Sequence, residues 1–263
     1  MAPRRLPGTV TAPPTRGDPV AATLVPFHDG DADVRLLCFP YAGGGARLFR
    51  PWQDALPPGV GVSGVCLPGR EHRYREPPLD DWAPALELLL AELGPWTRRG
   101  RYAFYGHSLG ARLAYELTHR LVALGYPAPV LLVVSACRAP GEPPRFPDMH
   151  SMDGPTLRER LRVMRGVPDE VLANRALMAR LEPVLRADLR IAETWDPTPG
   201  PLAVPVLALC GEHDDIDPYP AMAGWARHTT AGFAIHEVPA GHFFLNERPD
   251  LVVAALAAHL ETA

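Results

Sequence analysis

The amino-acid sequence predicts an α/β fold, a mostly parallel central sheet flanked by helices, and three observations carry that prediction. Short apolar runs alternate with helical patterns along most of the chain, the rhythm of a sheet covered on both faces. One strand-like run, Tyr102-Ala-Phe-Tyr105, passes through Gly106-His107-Ser108-Leu109-Gly110 into a helical pattern with Leu113, Ala114 and Leu117 on one face. Between Cys137 and Val204 the alternation stops, and a long stretch shows helical periodicity without a strand. At 263 residues the chain is long enough for one such domain.

The elements follow in order. Residues 1–30 are rich in Pro, Thr, Ala and Arg without periodicity, so a disordered N-terminal tail is expected, with the folded domain at 31–263. Val34–Phe39 is the first strand, and the loop Pro40-Tyr-Ala-Gly-Gly-Gly45 follows it. Arg47–Leu56 reads as a short helix and Gly61–Leu67 as the next strand, ending in Pro68-Gly-Arg-Glu71. There, Arg70 and Glu71 are expected to form an ion pair that pins the turn. Asp80 or Asp81 caps a helix through Leu86, Leu89 and Leu93, closed by Gly94-Pro95. Val130–Ala136, Val204–Cys210 and Phe233–Val238 complete the strands, and Glu247–Glu261 is the last helix, with Pro249 in its first turn.

The interruption, about 141–200, is expected to form a helical lid over the strand ends. Leu157, Leu161 and Met164 share one helical face. Pro168–Leu181 and Glu182–Trp195 read as two further helices, with Pro183 opening the second.

Composition narrows the function. The chain is 47% hydrophobic and 21% charged with a net charge of −4, and all 26 basic residues are arginine. Neither nucleic acid nor an anionic membrane is an expected partner. The chain has no apolar run long enough to span a bilayer and no signal-peptide core after Arg4-Arg5, so a cytoplasmic protein is expected. Cys38, Cys66, Cys137 and Cys210 lack metal-ligand spacing and read as buried thiols; no metal and no cofactor are expected. A monomer is the default.

The chemistry centres on Gly106-x-Ser108-x-Gly110. A strand-to-helix turn this tight leaves no room for a Cβ at either glycine, and its strain lifts the serine hydroxyl above the sheet edge. Such a hydroxyl needs a base, and the base an orienting acid, in the chain order Ser, acid, His. His242, in Pro239-Ala-Gly-His-Phe-Phe-Leu245 after the last strand, is the expected base. The acid comes from Gly211-Glu-His-Asp-Asp-Ile-Asp217, where Asp214 is preferred over Asp215 and Asp217. The oxyanion is expected to meet the backbone N–H groups of Leu109 and Ala42, with Tyr41 an alternative to Ala42. His107 reads as packing within the elbow.

Phe39–Gly45, Pro68-Gly-Arg-Glu71, Gly106–Ala111 and Gly241-His-Phe-Phe-Leu245 together resemble the stand-alone type II thioesterases of polyketide and nonribosomal peptide synthesis, within the α/β-hydrolase superfamily. Vertebrate medium-chain fatty acyl thioesterases share the pattern. The resemblance spans Val34 to about Leu260, and it implies an α/β-hydrolase fold with nucleophile, acid and base at Ser108, Asp214 and His242. It also implies hydrolysis of acyl thioesters on the phosphopantetheine arm of acyl or peptidyl carrier proteins, clearing stalled or wrongly primed acyl groups. The alternatives are a medium-chain fatty acyl thioesterase, another esterase of the same fold, or a non-catalytic binding module.

Overall fold

A computed structural model of the chain describes residues 23–261. Of the expected tail, 1–22 lies outside the described residues, but its last part departs from the expectation. Leu24–Pro26 (β1) forms an antiparallel edge strand beside Val60–Val65. Three residues are too few to show periodicity, and a proline is tolerated at a sheet edge.

The chain continues through Val34–Phe39 (β2), a 3₁₀ turn at Ala46–Phe49, Trp52–Ala55 (α1) and Val60–Val65 (β3). Next come Trp82–Thr97 (α2), Tyr102–His107 (β4), Leu109–Ala123 (α3) and Leu131–Ser135 (β5). Gly154–Val163 (α4), Asp169–Ala173 (α5) and Arg175–Glu193 (α6) form a helical insertion. The core resumes with Val206–Gly211 (β6), Tyr219–Ala223 (α7), Phe233–Val238 (β7), Phe244–Glu247 (α8) and Pro249–Leu260 (α9).

The seven strands make one sheet in the order β1-β3-β2-β4-β5-β6-β7, parallel except for β1. Parallel strands put all their carboxyl ends on one edge, so the loops after β2, β4, β6 and β7 meet there. Side chains alternate between faces. Leu37, Phe39 and Phe104 pack with Leu89, Leu93, Leu113 and Leu117 of α2 and α3. Leu36, Cys38 and Tyr105 pack on the other face with Trp52 of α1 and Val252 and Leu256 of α9. The insertion has its own small core, including Leu157, Leu161, Leu172, Met178 and Leu185.

Helix boundaries depart from expectation mostly at proline. Asp81 caps α2 by accepting from Ala83 N at 3.2 Å, but the helix runs through Gly94-Pro95 to Thr97. Helix α6 runs through Pro183, so two expected helices are one. An internal proline costs about 3 kcal/mol. Burial of Met178, Val184, Leu185 and Ile191 along α6 offsets that cost. The break falls instead at Asn174, whose Oδ1 accepts from Ala176 N and Leu177 N and starts α6. The helix expected at 47–56 divides before Pro51, and the final helix divides at Arg248, whose backbone is non-helical (φ −134°, ψ 55°) ahead of Pro249. All four cysteines are buried free thiols. No helix among the described residues is long and apolar enough to cross a membrane.

Candidate active site

The elbow sits where β4 meets α3. Ser108 has φ 54° and ψ −115°, a conformation held only because its surroundings enforce it. A Cβ on Gly106 would lie 2.3 Å from the Gly110 carbonyl oxygen, and one on Gly110 would lie 2.1 Å from that of Phe39. Only glycine lets β2, β4 and α3 approach so closely. Ser108 N donates to the Ser135 carbonyl at 2.8 Å, and Ser108 O accepts from Ala111 N at 3.0 Å, so α3 starts directly on the serine.

Asp214 and His242 come together from the loops after β6 and β7. His242 Nδ1 lies 2.9 Å from Asp214 Oδ2, and both residues are buried. The other carboxylate oxygen accepts from Ile216 N at 2.8 Å and Asp217 N at 2.9 Å, a turn that fixes the carboxylate's direction. A carboxylate accepts only, so Nδ1 carries the proton and Nε2 is the basic nitrogen. The competing acids are placed otherwise. Asp217 pairs with Arg138 Nε at 2.7 Å and stands 3.9 Å from His242 Nδ1, and Asp215 is exposed.

Burial alone would pull His242 down, but the hydrogen bond and charge of Asp214, with Asp217 behind it, hold its pKa above the ordinary histidine value. Burial likewise pushes Asp214 up, and the bond and charge of His242 with the two backbone N–H groups bring it below the usual carboxylate range. Ser108 and His242 line one cavity, and no hydrogen bond joins them among the described residues.

His107 does more than pack. Its Nε2–H donates to the His242 carbonyl at 2.9 Å. Its Nδ1 accepts from Ser135 Oγ at 2.9 Å, and that oxygen accepts from the Tyr105 hydroxyl at 3.0 Å. The His242 carbonyl can only accept, so Nε2 carries a proton, and with burial disfavouring the charged ring, Nδ1 is left as the acceptor. Burial, then the nearby His242, drive its pKa well below the ordinary value. The only sequence signal for this chain was that His107 adjoins the nucleophile.

The loop after β2 is held from an unexpected quarter. Arg70 does not pair with Glu71. It makes a two-point ion pair with Asp188 of α6, Nη1 at 2.7 Å and Nη2 at 2.8 Å, with both side chains buried. Glu71 Oε1 accepts instead from Arg47 N at 2.9 Å. Glu71, whose backbone is left-handed with φ 48°, thus reaches across to the segment after β2 rather than to its neighbour, which sequence alone does not reveal. Gly44 N donates to Tyr41 O at 2.8 Å and closes a turn around Ala42. The Leu109 N–H, in the first turn of α3, has no intrahelical acceptor.

Ser108 and His242 open into a cavity of about 400 Å³. Its far walls come largely from the insertion and the segment before it, with Phe146, Met149, Met164, Leu189 and Trp195 among them. Arg112, one helical turn beyond Ser108, donates to the Ala192 carbonyl and lies over the Trp195 ring, tying α3 to the end of the insertion. Cys66, Glu71 and His72 bring potential metal donors within 4.8 Å of one another. Burial, then the Glu71 charge, push the Cys66 thiol up to about 11, and its Sγ faces the Leu67 and Arg70 carbonyls, so it is held as a thiol.

The thioesterase domain family matches residues 34–262. Thioesterase PikA5 of Streptomyces venezuelae is 35% identical over 237 residues, covering 89% of this chain and 84% of its own. RedJ, the thioesterase from the prodiginine biosynthetic pathway in Streptomyces coelicolor, is 39% identical with a TM-score of 0.80, covering 86% of each chain. BorB, the type II thioesterase from the borrelidin biosynthetic cluster, is 33% identical with a TM-score of 0.78, covering 90% of this chain and 97% of its own.

Proposed function

The chain belongs to the thioesterase domain family, and from that premise we propose that it is a serine thioesterase acting on acyl groups held by the phosphopantetheine arm of acyl or peptidyl carrier proteins. In polyketide or nonribosomal peptide synthesis it removes aberrant or stalled acyl groups. The observation that carries the reading is the buried His242–Asp214 pair at 2.9 Å, opening with Ser108 into one acyl-sized cavity.

In this reading Ser108 Oγ attacks the thioester carbonyl while His242 Nε2 takes its proton, and Asp214 stabilises the imidazolium. Nucleophile–base contacts that are long in the free enzyme tighten around substrate. The oxyanion accepts from Leu109 N–H and Ala42 N–H. When the tetrahedral intermediate collapses, the C–S bond breaks, leaving the acyl group as an ester on Ser108. A thiol with a pKa near 8.5 is a good leaving group, so the proton from His242 is needed less than for an alkoxide. Water, deprotonated by His242, attacks the ester; the acid departs and Ser108 recovers its proton. The same family membership and helical insertion support one α/β-hydrolase domain at 31–263, with 141–200 as the lid that shapes its acyl pocket.

The test compares acyl-carrier thioesters with simple oxyesters of the same acyl group. Faster thioester turnover, with a covalent acyl adduct on Ser108 that is absent in Ser108→Ala, is expected. Oxyesters turned over far faster would overturn the proposal.

A further inference from the structure

Asp188 has no exposed surface, although it lies on a helix of the insertion. Its Oδ2 accepts from Gly43 N at 2.7 Å as well as from Arg70, and Arg70 Nη1 also donates to the Gly44 carbonyl at 3.0 Å. The carboxylate and the guanidinium therefore grip the Gly43-Gly44 segment at its N–H and its C=O. Helix α6 lies directly on that segment, because a Cβ on Gly43 would sit 2.6 Å from Leu185 Cδ2. Gly43 also has φ +80°, which favours glycine on its own account.

This grip sets the direction of a neighbouring donor. A trans peptide points its N–H opposite its C=O. The Tyr41 carbonyl is turned inward onto Gly44 N, so the N–H of the same peptide, that of Ala42, is turned outward. Whatever holds Gly43 and Gly44 therefore aims Ala42 N–H. A buried ion pair is often replaceable by apolar residues without loss of stability, so stability alone does not account for placing one here.

We propose that Asp188, acting with Arg70, is the positioning residue of the oxyanion loop, and that α6 is a fixed part of the hydrolytic apparatus rather than a moving flap. The inference rests on the reading of Ala42 as an oxyanion donor.

The test uses Asp188→Asn, Asp188→Ala and the paired change Arg70→Met with Asp188→Met, which leaves no lone buried charge. Three quantities are measured on the full chain: thermal midpoint, kcat and KM on an acyl thioester, and the rate at which a fluorophosphonate labels Ser108. Labelling needs the oxyanion hole but no carrier protein. The paired variant is expected to fold with a midpoint near that of the wild type. Its kcat and labelling rate are expected to fall together by about 10²–10³-fold, the effect of losing one oxyanion donor, with KM little changed. Asp188→Asn, which keeps an oxygen for Gly43 N–H, retains more activity than Asp188→Ala.

A folded paired variant with wild-type kcat, or a loss confined to KM, would overturn the proposal. If the paired variant does not fold, Asp188→Asn decides: slowed labelling supports the proposal and the wild-type rate overturns it. A wild-type protein that labels at Ser108 but hydrolyses no carrier thioester would sink the substrate reading alone, and the labelling ratios would still decide this one.

Discussion

The carboxyl edge of the sheet and the helical insertion build the two halves of the same cavity by different means. At the sheet edge each group proposed to react follows a strand within a few residues, and backbone pairing sets its place: Ser108 after β4, Asp214 after β6, His242 after β7. Strand register is a discrete variable, so these positions tolerate little drift. The insertion has no ladder. Its helices are placed by a small apolar core, by the long α6 that continues through Pro183 and by ion pairs to the core, including Arg70–Asp188. The difference teaches that, in the proposed mechanism, the chemistry is built on rigid pairing, whereas the acyl group would meet a wall whose shape depends on side-chain packing.

That contrast predicts a graded series of effects. Ser108→Ala should lower kcat about a millionfold while thermal melting is unchanged; substantial residual turnover would move the nucleophile elsewhere. Asp214→Asn should cost about 10⁴ in kcat. His242 must be unprotonated to act as base, and Asp214 holds its pKa above the ordinary value. The acid limb of the wild-type kcat/KM profile should therefore lie above pH ~6.5 and move to lower pH in the variant. By contrast, Asp215→Asn should leave the profile alone. Asp217→Asn, which strands the buried Arg138, should lower stability by about 3 kcal/mol.

His107→Ala should lower stability by about 1–3 kcal/mol through unpaired buried groups and slow kcat roughly tenfold with KM little changed. Equal loss of kcat in Tyr105→Phe, which removes the hydroxyl on Ser135 and its 3.4 Å contact with His107 Nδ1 but keeps the imidazole on the His242 carbonyl, would show that the effect is general loosening. On the insertion side, Met149→Trp or Leu189→Phe should leave kcat for the shortest acyl groups near wild type. Long acyl groups should be discriminated against by about 10-fold or more in kcat/KM. If either substitution slowed all acyl groups alike, the division between the two halves would fail.

Legibility followed the same line. The limits of β2 and β7 are those expected from the sequence, because a continuous or alternating apolar run in a two-faced sheet has one reading. Gly106 announces a contact within its own turn, whereas the contact Gly110 makes, with the Phe39 carbonyl of β2, shows only in the fold. Asp214 was the preferred acid on spacing, and the structure brings it to His242 while Arg138 engages Asp217. Asp188 was not legible at all: it lies 118 residues from Arg70 and reads as an ordinary polar position on a helix. Pro183 misled for the related reason that burial along α6 outweighed a local penalty. The Tyr105–Ser135–His107 chain was hidden because it links two strands through a register that sequence does not display.

The four enclosed thiols have a consequence of their own. Burial raises Cys38 well above the ordinary thiol value and holds Cys66 and Cys137 at about 11 and Cys210 at about 12. Thiolate, the form that attacks a thioester, is therefore scarce at neutral pH, and what exists is out of contact with solvent. A protein handling activated acyl groups thereby avoids transthioesterification onto its own side chains, so no acyl group is stranded on it as a dead-end adduct.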